Sequence, residues 1–186
     1  DAVLPGDGEE SISRFVETVK EAVANGTGRD ELMRALDTQP GTYVPALHEP
    51  TADSGGTLIH SSLAIPKETL RDLDGFDAFT EFPVPAVETV FDRVSLELAR
   101  GCFQGCRFCE QGFTYRPPRE RGLDYLMNWA GETIDGSGLN EISLASLSSA
   151  DYSCILPLAS QIRTMAQQKD ASVGVSSLRA YGIDDT

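Results

Sequence analysis

Three of the four cysteines in this chain lie within one eight-residue stretch, Cys102-Phe103-Gln104-Gly105-Cys106-Arg107-Phe108-Cys109. Thiolates are soft ligands that suit zinc, copper(I) and iron–sulfur clusters. Crowding of this kind in an acidic chain expected to work in the cytosol points to metal binding rather than disulfides. A structural zinc ion ordinarily takes a fourth Cys or His from a second paired knuckle, and neither His48 nor His60 stands in such a pair. Three thiolates spaced x3 then x2 can instead hold three irons of a 4Fe–4S cube and leave the fourth iron open. A zinc module remains an alternative, as does an electron-transfer cluster, for which the missing fourth cysteine is a handicap. Cys154 stands apart in an expected amphipathic helix and reads as a small buried hydrophobe.

Charge sets this stretch apart from its surroundings. The 186 residues carry 29 acids and 15 bases, a net −14. Residues 93–121 nevertheless hold six arginines against Glu97, Glu110 and Glu120. Arginine suits carboxylates and phosphates in fixed geometry, although most of these six read as a solvated face with local ion pairs. The overall charge argues against broad affinity for nucleic-acid phosphates or anionic membranes. No apolar run reaches the length of about 18 residues that a membrane helix needs. The first ten residues lack the basic flank and apolar core of a signal peptide.

The elements that must position the cysteines follow from periodicity. Val94, Leu96 and Leu98 alternate with polar residues, which predicts a strand leading into the cysteine loop. A helix is expected next, with Leu123, Leu126, Met127, Ala130 and Ile134 on one face and Gly136 and Gly138 at its end. Ile142, Leu144 and Leu147 open a second strand region. Asp151 is placed to cap a helix burying Ile155, Leu156, Ala159, Ile162 and Ala166, and Val173, Val175 and Leu178 form a third strand. Strand–loop–helix repeated in this way predicts parallel β/α units. Three strands are too few to close a barrel.

Upstream, residues 38–92 hold six of the ten prolines and the flexible Ser54-Gly55-Gly56. Proline removes backbone donors and restricts its neighbours, so this stretch reads as a connector with short elements. Leu58, Ile59, Phe76, Phe79 and Phe82 imply that it packs on a surface. Before it, Ile12, Phe15, Val16, Val19 and Val23 predict a helix with one buried stripe, stopped at Asn25-Gly26. A shorter helix with Leu32, Met33 and Leu36 inward precedes Pro40-Gly41. Val3 to Glu9 resembles a strand end entering a helix. The domain expectation is therefore an α/β tail over 1–37, a connector over 38–92 and β/α units over 93–186. The missing Met and the stop after a third strand predict a piece of a longer protein.

Glu97-Leu98-Ala99-Arg100-Gly101-Cys102 running into Cys106-Arg107-Phe108-Cys109 resembles the signature of the radical S-adenosylmethionine enzymes. The stretch Gln111 to Arg121 narrows the resemblance to a subfamily with an N-terminal cobalamin-binding-type α/β domain. Gly6-Asp7-Gly8-Glu9 and Pro40 to Pro45 resemble its domain junction. The resemblance implies an incomplete TIM-like β/α barrel with ligands at the carboxyl ends of its parallel strands. It implies a 4Fe–4S cluster on Cys102, Cys106 and Cys109, with S-adenosylmethionine bound at the open iron. Ser148 and Ser149 would follow the second strand, where the family meets the methionine amino group. Phe108 would take the position that contacts adenine, against simple packing, and Arg179 would hold the cofactor carboxylate, against an ordinary surface charge.

The reaction so implied is reductive cleavage of S-adenosylmethionine to methionine and a 5′-deoxyadenosyl radical, with an electron from an external donor and the protein positioning the cofactor. The residues name no substrate. Neither histidine sits in an Asp-x-His-x-x-Gly motif, so cobalamin binding rests on the resemblance alone and no residue of this chain is assigned to it.

Overall fold

A computed structural model describes residues 1–48, 51, 52, 54–59, 66–76, 83–87 and 89–179. His60, Phe79 and Phe82, each singled out above, lie outside the described residues. The chain forms two compact units, Asp1–Arg71 and Asp72–Thr186.

In the first unit, α1 (Glu9–Asn25) ends at Gly26, whose left-handed φ of 63° turns its N–H back toward Ala22 and Val23. α2 (Arg29–Asp37) follows, and a short 3₁₀ turn spans Pro45–Leu47. β1 (Thr51–Ala52) and β2 (Leu58–Ile59) pair antiparallel. Single bridges tie Val3 to Tyr43 and Gly6 to Glu68. Gly6 has φ +104°, and a Cβ there would fall 2.1 Å from the Glu68 carbonyl oxygen, so the approach needs glycine. The buried Asp7 accepts from the Leu70 N–H at 2.7 Å, and Arg14 donates to Glu68 at 2.6 Å.

The α1 stripe departs from its expectation. The helix buries Ser11 and Ala22, with Phe15 and Thr18 half-buried on the same face. Ile12 and Val16 are exposed, and Val23 is 75% exposed. The inward face is thus rotated by about one residue from the apolar stripe. Phe15, Val16, Val19 and Val23 line an open groove of about 380 Å³ instead. Leu36 of α2 is fully buried as expected.

The second unit carries β3 (Val94–Glu97), β4 (Ala99–Arg100), α3 (Gln111–Thr114) and β5 (Arg119–Glu120), then α4 (Leu123–Ser137) and β6 (Glu141–Ala145). A 3₁₀ turn at Ser149–Asp151 leads to α5 (Ile155–Gln168) and β7 (Ser172–Val175). The sheet order is β3–β6–β7 with both pairs parallel, Leu96 opposite Leu144 and Leu144 opposite Val175. Among the described residues this three-stranded sheet is not closed into a barrel. Helices α4 and α5 make the two crossovers, the connection that parallel strands require. The core joins Val94, Leu96 and Leu98 to Leu126, Ala130 and Ile134 of α4, Ile142 and Leu144 of β6, and Leu158, Ile162 and Ala166 of α5.

Two details of α5 correct the expectation. Leu156 is 76% exposed, and Leu158 takes the inward position. Cys154 is the residue before the first turn rather than a residue inside the helix, and it is half-buried against the core edge. The helix therefore starts about one turn later than an Asp151 cap would place it.

Candidate metal centre at the carboxyl ends of the strands

The cysteine loop leaves the carboxyl end of β3 and is closed at its base by the antiparallel β4–β5 pair, Ala99 opposite Glu120 and Arg100 opposite Arg119. Closure depends on Gly101, whose φ is +94°. A Cβ there would lie 2.5 Å from the Tyr115 carbonyl oxygen. Inside the loop the Cys109 N–H bonds the Cys106 carbonyl at 3.0 Å, a single tight turn. Arg116 steadies the loop's return by donating to the Gly112 carbonyl at 2.7 Å while lying 4.7 Å from the Phe113 ring centre.

All four thiols are free and half-buried. Three soft donors on one eight-residue loop fit a soft-metal group by their chemistry. Among the described residues, no three His, Cys, Asp or Glu side chains are gathered closely enough to hold a metal ion.

Beside the loop, the ends of β3 and β6 open into a cleft of about 460 Å³ lined by Glu97, Arg100, Gln111, Tyr115 and Ser146, among others. Its charged wall is internally paired. Arg100 donates to both Glu97 oxygens at 2.9 Å, a two-pronged bond. Arg121 approaches the same carboxylate at 3.6 Å. Arg121 is itself buried, donating to the Leu73 carbonyl and stacking beneath Tyr125 and Trp129 at 5.1 and 5.5 Å. Two of the six arginines thus brace the cleft wall, Arg100 through a local ion pair of the expected kind and Arg121 from within the fold, apart from the solvated face read for most of the six.

Of the residues singled out by sequence, Cys102, Ser148 and Arg179 come together. The Arg179 guanidinium reaches the Ser148 hydroxyl at 2.8 Å and the Cys102 sulfur at 3.7 Å, so it is not an ordinary surface charge. Ser149 is fully buried, shares a hydrogen bond with the Ser146 hydroxyl at 3.1 Å, and donates its N–H to the Ser177 carbonyl at 3.3 Å. Phe108 is 93% exposed and does not line the cleft, which removes the packing alternative for its ring.

Sequence reasoning missed Asp151, read as a helix cap. Its carboxylate accepts from Arg179 at 2.7 Å and from Gln104 of the cysteine loop at 3.0 Å. Tyr152 beside it donates to the Arg121 carbonyl at 2.9 Å. Burial, then the negative charges of Cys154, Glu120 and Asp74, push its phenol up to about 12.

Comparison with known proteins adds one relative. No family model matches this chain, and no solved structure matches it. Over 90 residues, 48% of its length, it is 38% identical to an uncharacterized protein of Methanocaldococcus jannaschii. The match takes in 19% of that relative, so the chain spans about a fifth of its length. Among the described residues no helix is long and apolar enough to cross a membrane.

Proposed function

We propose that the chain is part of a radical S-adenosylmethionine enzyme in which Cys102, Cys106 and Cys109 hold a 4Fe–4S cluster. When bound, that cluster would pass one electron from an external donor to S-adenosylmethionine, giving methionine and a 5′-deoxyadenosyl radical. The observation that carries the reading is the position of three free thiols on the loop leaving the carboxyl end of β3, the end where parallel β/α units build their sites.

The chain's own residues then have distinct tasks. Gly101 lets the loop return onto Tyr115 and Pro118. The Glu97–Arg100 pair stiffens one wall of the cleft, where a cofactor would lie beside the thiols. Ser148 and Ser149 supply the turn after β6. The Ser148 carbonyl accepts from the Asp151 N–H at 3.1 Å and the Ser149 carbonyl from the Tyr152 N–H at 3.3 Å, which fixes this turn beside the position proposed for the cofactor amino group. Phe108 stands exposed outside the cleft, so an adenine contact there would require the cysteine loop to fold over the cofactor.

The test is anaerobic reconstitution with iron and sulfide. The protein should take up about four irons. Cys106→Ala should lose most of them and Cys154→Ala should keep them. The longer parent protein, reduced anaerobically, should release 5′-deoxyadenosine from S-adenosylmethionine and its Cys102→Ala variant should not, whereas this piece alone is expected to be inactive. Stoichiometric zinc with no iron uptake overturns the reading.

A further inference from the structure

Arg179 joins three loops at one nitrogen. Its Nη2 lies 2.7 Å from Asp151 Oδ2, 2.8 Å from Ser148 Oγ and 3.7 Å from Cys102 Sγ. Asp151 in turn accepts from Gln104, two residues beyond Cys102. Loops following β3, β6 and β7 are therefore tied through one guanidinium and one carboxylate. Both side chains are largely withdrawn from solvent, 22% and 26% exposed. Holding an arginine in one geometry costs side-chain entropy, which its contacts with Asp151 and Ser148 must offset.

Nη2 carries two hydrogens and faces three acceptors, so the sulfur shares a donor with the stronger oxygen acceptors. That balance depends on the state of Cys102. A thiol sulfur is a weak acceptor, whereas a thiolate ligating a metal carries negative charge and draws a charge-assisted bond. Asp151 fixes the guanidinium in place.

We propose that Arg179, held by Asp151, is a positioning residue that donates a hydrogen bond to the Cys102 sulfur once that sulfur is a metal ligand, and thereby raises the reduction potential of the bound group. The assignment rests on the cluster reading given under Proposed function. It gives Arg179 a task toward the ligand sulfur instead of toward a cofactor carboxylate. Hydrogen bonds to cluster sulfurs stabilise the more negative, reduced form, which is the physical basis of the effect.

The experiment measures iron content and midpoint potential, by redox titration followed by electron paramagnetic resonance, in the anaerobically reconstituted full chain. Arg179→Gln should keep its iron but titrate at a more negative potential than the wild type. Arg179→Lys, which preserves charge and a donor, should recover most of that shift; a purely structural arginine would not be rescued in this way. Equal potentials in the wild type and Arg179→Gln overturn the assignment alone. If Arg179→Gln does not fold, Asp151→Asn takes its place: it weakens the arginine's anchor and should also titrate below the wild type, and a potential equal to that of the wild type overturns the assignment instead. Failure of the wild type to take up iron and sulfide overturns the cluster reading and this assignment with it.

Discussion

The two units solve the burial of their helices in opposite ways. In the second, α4 and α5 turn apolar faces onto a parallel sheet, so that strands and helices share one core from Val94 to Ala166. In the first, α1 turns Ser11 and Ala22 inward, and its surroundings are held by polar contacts: Asp7 to Leu70, Arg14 to Glu68, Gln39 to Thr18. Its most apolar stripe faces an open groove. The lesson is that an amphipathic pattern reports which side chains are apolar and leaves open which of them is covered. Stability should therefore respond to apolar truncation in the second unit and hardly at all at Ile12, Val16 and Val23, the exposed members of the α1 stripe.

The largest effect is expected at Leu158, fully buried where α5 meets the sheet. Leu158→Ala removes three carbons' worth of transfer energy and leaves a cavity, a loss of about 2–5 kcal/mol. Amide hydrogen exchange should show β3, β6 and β7 losing protection together. A loss below about 1 kcal/mol would mean that this core is looser than its burial indicates.

A smaller effect is expected at Tyr152, where the second unit buries a polar group. Tyr152→Phe deletes the bond to the Arg121 carbonyl and should cost about 1 kcal/mol near neutral pH. The pH dependence sharpens the test. The folded phenol titrates near 12 against 10 for an ordinary tyrosine, so the folded state retains this proton between those values. The resulting stabilisation is complete below pH 10 and is lost as pH rises through 12. Denaturation between those limits should show a steeper alkaline decline for wild type than for Tyr152→Phe. Parallel curves would place the phenol in contact with water.

Much of the second unit was legible in the residue order. Alternation at Val94, Leu96 and Leu98, the α4 stripe, and the glycine after Ser137 each describe a local requirement that the fold also meets. The cysteine loop was legible for the same reason: its spacing is local. What stayed hidden depends on contacts distant in sequence. Asp151 has the composition of a cap, but its partners Gln104 and Arg179 lie on other loops. Arg121 has the composition of a surface residue, yet Leu73, Tyr125 and Trp129 enclose it. Leu156 and Leu158 are both apolar but lie roughly 200° apart around the helix, so only one can share the inward face with Ile162 and Ala166.

The smallest effect bears hardest on the comparison. Val23 sits in the last turn of α1, 75% exposed, at the end of the groove that Phe15, Val16 and Val19 line. Valine and serine have similar helix propensities, so Val23→Ser changes little except the apolar surface offered to solvent. With that surface already wet, the change in stability should stay within about 0.5 kcal/mol, the ordinary range for substitutions outside any packed feature. Thermal or urea denaturation of the full chain, followed by hydrogen exchange in α1, measures it directly. A loss above about 1 kcal/mol would show that Val23 is withdrawn from water in solution, since only buried methyl groups contribute on that scale. The contrast between the units would then fail at its weaker side: α1 would be packed on its apolar stripe after all, and the polar contacts at Asp7, Arg14 and Thr18 would be additions to a covered helix rather than what holds an uncovered one.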